Sequence, residues 1–283
     1  MTLQGKTVVV TGASSGIGEQ AARQLAGRGA RVAVVGRDRA RTEQVADSLV
    51  ASGGPVPRYV ADFADLAQVR RLATDLAADL GRIDVLLGNA GGAFADFTPT
   101  VDGHEPNYQV NALAPFLLLR ELTPVLAGGR VVATSSRSHR EAVLHREDVA
   151  GQLDRMTGRG PHRRYALAKL VSLLLHREHH RLHPEVEIVD VHPGLVASDF
   201  GRYMGRTGTV LKHLARPVLR SPAAAATTLV KLAEAPALPP SAYFVRDHRG
   251  EPSKLVEDEG LVTAVYADAC RRLHVIYQEQ PER

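Results

Sequence analysis

The chain has 283 residues, a length that suits one α/β sheet domain of roughly 200–300 residues. Hydrophobic residues make up 44% but aromatics only 5%, with no Trp, so Ala, Val and Leu must build the core, as they do where helices pack on a parallel sheet. The 35 basic residues face 31 acidic ones, and the two Arg-rich stretches, 137–164 and 202–220, carry no aromatic stacking pattern, which argues against nucleic acid as a partner. Cys270 is the only cysteine, which excludes an intrachain disulfide and a thiolate metal cluster. No apolar run is long enough to span a bilayer, and residues 1–5 lead straight into a strand-like segment. The expectation is a cytoplasmic protein with no signal peptide and no stable membrane insertion.

In chain order, residues 8–10 end a short apolar run and predict the first strand. Ala21, Ala22, Leu25 and Ala26 then share one side of a helix that Gly27 and Gly29 punctuate. Residues 32–35 are a second buried-strand run, completing the strand–helix–strand crossover that parallel strands require. The alternation continues with a strand at 56–61, an amphipathic helix at 66–80, a strand at 83–87, and a long helix at 104–126 that Pro115 and Pro124 bend or end. Strands at 130–134, 186–191 and 242–245 and helices at 165–182, 223–235 and 258–273 complete the series. This predicts one domain over 1–283: a Rossmann-like, doubly wound parallel sheet of about seven strands with helices on both faces. Residues 137–164 and 198–222 break the rhythm after strand carboxyl ends, where open α/β sheets bind ligands, and are predicted as irregular walls or lids of a site.

Thr11-Gly12-Ala13-Ser14-Ser15-Gly16-Ile17-Gly18 joins the first strand to the first helix. Glycines there let the backbone turn tightly and approach a pyrophosphate, to which the helix N-terminus offers free N–H groups. The spacing is GxxxGxG, and no Gly-Lys-Ser/Thr ends it, so it is not a P-loop. The second strand ends Val35-Gly36-Arg37-Asp38. An NAD enzyme would place an acid near Gly36 to hold the ribose hydroxyls; here Arg37 can pair with the 2′-phosphate of NADP. Arg39 and Arg41 add to the field and Asp38 partly offsets it, so NADP(H) is favoured over NAD(H). Tyr165 and Lys169, four apart at the predicted start of a helix, share one face. A nearby ammonium should lower the phenol pKa from about 10, letting the pair exchange a proton with a substrate oxygen.

These motifs resemble the short-chain dehydrogenase/reductase family. The match covers TGxxxGIG at 11–18, Asn89-Ala90-Gly91 after the fourth strand, Asp62 after the third, YxxxK at Tyr165 and Lys169, and Pro193-Gly194 after the sixth strand. The resemblance implies that Gly12, Ser14, Ser15, Gly16, Ile17 and Gly18 hold the pyrophosphate and that Asp62 and Phe63 meet the adenine. It implies that Asn89, Ala90 and Gly91 support the adenine side, and that Pro193, Gly194, Val196 and Ser198 lie near the nicotinamide with Tyr165 and Lys169. It assigns catalytic roles to Ser136, the second of the Ser135-Ser136 pair, to Tyr165 and Lys169, and to Asn111, which would hold a water linking Lys169 to solvent. Ala168 stands where the family often has Ser, and Ser198 where it usually has Thr.

Asp102-Gly103-His104-Glu105, Ser135-Ser136-Arg137-Ser138-His139, Val191-His192-Pro193-Gly194 and Ala242-Tyr243-Phe244 resemble the retinol-dehydrogenase-like (WW-domain-oxidoreductase-like) branch. What this implies is an NADPH-dependent reductase/dehydrogenase moving hydride between nicotinamide and a ketone, aldehyde or alcohol carbon, on a lipophilic or secondary-metabolite substrate, as a homodimer or homotetramer. A non-catalytic NADP-binding sensor or scaffold, or a redox epimerase, are the alternatives on the same fold. His176, His179, His180 and His183 recur at helical spacing without a metal motif, so no metal site is expected; such residues are expected to face solvent or a partner subunit. His104 and His139 are expected to flank the pocket, His192 to pack beside the Pro193-Gly194 turn, and residues 200–220 to form a mobile lid.

Overall fold

A computed structural model describes residues 2–50, 55–196 and 219–277. β1 (Thr7–Thr11) is buried along its whole length, because apolar layers cover both faces of the sheet: Val9 enters one layer, Val8 and Val10 the other. β2 (Arg31–Gly36) and β3 (Arg58–Val60) lie to one side of β1. β4 (Val85–Gly88), β5 (Arg130–Thr134), β6 (Glu187–His192) and β7 (Tyr243–Val245) lie to the other, all parallel. The two-residue β8 (His248–Arg249) pairs antiparallel with β7, giving the order β3-β2-β1-β4-β5-β6-β7-β8. Seven parallel strands match the predicted series; β8 is too short to show any hydrophobic period. The predicted third strand shrinks to the three residues of β3 at the sheet edge.

α1 (Gly16–Ala26), α2 (Arg39–Leu49) and, later in the chain, α8 (Pro222–Glu234) cover one face through Leu25, Val45 and Leu229. α3 (Leu66–Leu80), α5 (Ala114–Leu126) and α7 (Pro161–Leu182) cover the other through Leu76, Leu117 and Leu174, with α9 (Glu259–Arg272) packed on α7. α2 is missing from the predicted series because its buried stripe is only Thr42, Val45, Ala46 and Leu49. Asp258 caps α9, accepting the Leu261 N–H at 3.0 Å. Asp258→Ala is expected to lower stability by about 1 kcal/mol, read as a lower urea midpoint at unchanged slope.

Three predicted segments are corrected. The long helix starts at Pro106 rather than 104 and has three parts: α4 (Pro106–Tyr108), a π-helical turn (Gln109–Leu113) and α5. Pro124 sits inside α5 without ending it. α7 begins at Pro161, so Tyr165 lies a full turn inside the helix. Residues 137–164 are not an irregular loop, since they hold 3₁₀ turns Arg137–Glu141, Arg146–Asp148 and Arg155–Gly158 and the short α6 (Val149–Asp154). Val149, Leu153 and Met156 anchor them in the core, which is why they fold. Of the predicted lid, residues 198–218 lie outside the described residues.

Candidate active site

The carboxyl ends of β1, β4 and β5 open on a cleft of about 800 Å³. It lies where the strand order reverses on either side of β1, the expected place for a ligand in an open parallel sheet. Gly12 leaves β1 at φ 66°, and a Cβ there would sit 2.9 Å from Ala90 Cα. A Cβ on Gly18 would collide with the Gly12 carbonyl, so α1 packs directly on its own loop. Ser15 is the N-cap of α1, yet its side chain makes no capping bond, whereas Asp38, Asp65, Ser221 and Asp258 cap α2, α3, α8 and α9. The first turn of α1 therefore keeps N–H groups for an anion, and Ser14, Ser15, Gly16 and Ile17 line the cleft. This cradle fits the pyrophosphate of a dinucleotide.

Thr11 ties the cradle to the neighbouring strand: its hydroxyl accepts the N–H groups of Asn89 (3.0 Å) and Ala90 (3.1 Å). Asn89 in turn donates to the Thr11 and Gly12 carbonyls at 3.3 and 3.4 Å. Asp62, Phe63, Asn89, Ala90, Gly91 and Arg37 all line the same cleft. The Arg37 guanidinium lies 4.0 Å from the Asp62 carboxylate, both groups part-exposed. Arg39 and Arg41 do not line the cleft: Arg39 turns to Glu43 on its own helix at 3.4 Å. The Asp38 carboxylate caps α2, accepting the Arg41 N–H at 3.0 Å.

Tyr165 and Lys169 line the other end of the cleft, on the buried face of α7. Lys169 Nζ donates to the Thr134 carbonyl at the end of β5 (2.9 Å) and lies 5.9 Å from the centre of the Tyr165 ring. Tyr165 shares a hydrogen bond with the Ser136 side chain. The expectation that the ammonium would lower the phenol pKa is corrected. Burial pushes the Tyr165 phenol well above its ordinary value, opposed by the bond to Ser136. Burial also lowers Lys169 to about 8, with the Asp190 carboxylate pulling the other way. Desolvation disfavours both charged forms and is the largest influence on each.

Asn111 sits in the π-helical turn, whose widened backbone accommodates it. Its Oδ1 accepts the Gly92 N–H (3.2 Å), while Nδ2 donates to the Gly92 and Asn107 carbonyls (2.8 and 3.0 Å). It thus clamps the strand-end loop under Lys169 and does not line the main cleft. Ser136, Gly18, Pro193, Gly194 and Val196 also lie off its lining. Arg220 pins the Pro193-Gly194 turn, donating to the Pro193 carbonyl at 2.6 Å, and Val196 bridges to Arg220. Ser198 lies outside the described residues.

Two features escape the sequence reading. Among the described residues, the cleft wall comes from the segment after β4, with Phe94, Ala95, Asp96 and residues 98–101, and not from 137–164. Buried Arg164 and Glu105 moor that wall: they pair at 3.0 Å, Arg164 donates to the Ala95 carbonyl at 2.6 Å, and Asn107 clasps Phe94 at 2.9 and 3.0 Å. The only signal was an aperiodic, polar-punctuated run after the fourth strand. His139 is not at the pocket edge but fully buried: one ring nitrogen meets the Ser136 carbonyl and the other accepts the Ser253 N–H at 3.1 Å. His192, expected to pack beside the Pro193-Gly194 turn, is buried.

Of the four histidines expected to face solvent or a partner subunit, His180 and His183 are part-exposed, but two are not. His176 and His179 are buried, bonded to Asp190 (2.9 Å) and to Thr123 (2.8 Å) with Tyr266 (3.1 Å), because the core side of α7 needs partners for each polar atom. Among the described residues no three His, Cys, Asp or Glu side chains converge as a metal site, and no helix is long and apolar enough to cross a membrane.

Comparison with known proteins agrees with this geometry. The family model for short chain dehydrogenases matches residues 6–147. A Streptomyces sp. (strain C5) protein named "Putative daunorubicin C-13 ketoreductase" is 42% identical over 270 residues, covering 93% of this chain and 91% of that protein. Human retinol dehydrogenase 13 is 30% identical, with 95% and 85% covered. The crystal structure of an uncharacterized Mycobacterium paratuberculosis protein superposes with a TM-score of 0.77 at 28% identity, covering 98% and 97%. The chain therefore belongs to the short-chain dehydrogenase/reductase family, is retinol-dehydrogenase-like within it, and is a nicotinamide-dependent oxidoreductase of carbonyl or alcohol groups.

Proposed function

We propose that this chain is an NADPH-dependent reductase of a lipophilic ketone or aldehyde, with alcohol oxidation as the reverse reaction. The observation that carries the reading is the meeting of Tyr165 and Lys169, with Ser136 bonded to Tyr165, at a glycine-cradled cleft where β2 ends in Gly36 followed by Arg37, with no acid at position 36. The nicotinamide supplies the hydride when it is bound. Ser14, Ser15, Gly16 and Ile17 hold the pyrophosphate, Arg37 the 2′-phosphate, Asp62 and Phe63 the adenine, and Lys169 the nicotinamide ribose. Burial keeps the proton on Tyr165, so its phenol is set to donate to a carbonyl oxygen. Ser136, bonded to the same phenol, shares the negative charge that develops there. Asn111 holds the loop beneath Lys169: a Cβ on Gly91 would stand 2.7 Å from Asn111 Oδ1 and 3.9 Å from Lys169 Nζ.

The substrate class rests on the wall. Phe94, Pro99, Val101 and Val110 give it an apolar face, and the Streptomyces relative is named as a daunorubicin C-13 ketoreductase. The test is NADPH consumption with daunorubicin and with all-trans-retinal across pH. Turnover of daunorubicin above retinal is expected. The rate should fall above about pH 8, where Lys169 loses its proton and with it the charge that holds the ribose. Bound NADPH with neither compound reduced would count against a lipophilic carbonyl substrate.

A further inference from the structure

A second, smaller cavity of about 30 Å³ shares Lys169 with the cleft and is lined also by Asn111, Ser172 and His176. Lys169, Ser172 and His176 are spaced three and four apart, so they form one stripe along α7. The cavity has room for about two waters at roughly 10–15 Å³ each. His176 is 5% exposed, and its Nδ1 lies 2.9 Å from Oδ1 of the equally buried Asp190 on β6. A carboxylate only accepts, so Nδ1 carries a proton, and in the neutral imidazole Nε2 keeps its lone pair. Among the described residues neither His176 Nε2 nor the Ser172 hydroxyl has a hydrogen-bond partner. Buried polar groups are almost always satisfied, and cavity water beside Lys169 would satisfy both.

We infer that His176, held by Asp190, is a positioning residue for Lys169, accepting at Nε2, through water in this cavity, a hydrogen bond from the lysine ammonium. The inference rests on Lys169 being the group that serves the cofactor and Tyr165. An acceptor on this side favours the charged amine against the burial that disfavours it. The other titratable and charged groups at this corner are Asp190 on β6, Tyr165 and His179 on α7, and, beyond Asp190, His139 and Tyr243. α5 brings Arg120 towards His179, while its cavity-lining residues are Pro115, Leu118 and Leu119, none of them titratable.

The test follows the Lys169 amine directly, by NMR titration of protein carrying ¹⁵N-labelled lysine, with the signal assigned by its loss in Lys169→Met. His176→Leu and Ser172→Val, which fills the cavity without touching the His176–Asp190 pair, should each lower the Lys169 midpoint by about half a pH unit or more. His176→Gln, which can donate to Asp190 and still accept, should restore it. A merely structural role for His176 would lower Tm without moving the midpoint. If His176→Leu fails to fold, Ser172→Val decides. A Ser172→Val midpoint within about 0.2 pH unit of wild type overturns the inference. Turnover in Lys169→Met separately decides whether Lys169 is catalytic, so failure of that reading is distinguishable from failure of this one.

Discussion

Tyr165→Phe is expected to cut carbonyl reduction by about 10²–10⁴-fold, the usual worth of a positioned general acid, while NADPH affinity stays within about twofold. The ring is buried on α7, so Phe keeps the packing and removes only the hydroxyl. Lys169 keeps its bond to the Thr134 carbonyl, which does not depend on that hydroxyl. Ser136 loses the phenol but still donates to Ser138 Oγ at 3.1 Å, so no buried donor is stranded. Single-turnover reduction and NADPH titration of the same preparation separate the two effects. Activity retained in the variant would remove Tyr165 from the mechanism; lost NADPH binding would show that the substitution disturbed the cleft.

Arg37→Asp is expected to weaken NADPH by about 100-fold, since charge-assisted hydrogen bonds contribute about 1.5–3 kcal/mol and each 1.4 kcal/mol is tenfold. The new carboxylate would also face Asp62, which now stands 4.0 Å from the guanidinium, and would repel the 2′-phosphate. NADH, which lacks that phosphate, should lose little and become the preferred cofactor. Arg39→Asp is the control, because that side chain is exposed, points to Glu43 and does not line the cleft. Equal losses in the two variants would mean that Arg37 acts only through the general field. Equal affinity of the wild type for NADPH and NADH would remove the basis for NADP preference.

Much of this protein is legible because its signals are local. A run such as Val8 to Val10 between polar turns can be stable only as a strand covered on both faces, and the glycine loop after it is required by backbone geometry within a few residues. The helical spacing of Tyr165 and Lys169 places both on one face whatever surrounds them. The parallel sheet follows from the alternation, since parallel neighbours need a crossover helix between them. Boundaries were less legible: α7 starts a turn before Tyr165 because Pro161 is favourable at a first helical turn, and the π-helical turn at Asn111 leaves no periodic trace.

The sequence by itself therefore determined the sheet, the phosphate cradle and the pair of side chains on α7, since each depends on neighbours within one or two turns of chain. Only the tertiary structure decided what surrounds them. It brought the Thr134 carbonyl to Lys169, Glu105 to Arg164, Ser253 to His139 and Asp190 to His176, contacts spanning 14 to 114 residues. It also set the protonation of the site. A phenol and an amine four residues apart suggest mutual stabilisation, but burial from β5, the π-helical turn and α7 raises one and lowers the other. Desolvation depends on how many elements close over a group, and that is a property of the packed fold rather than of any stretch of chain.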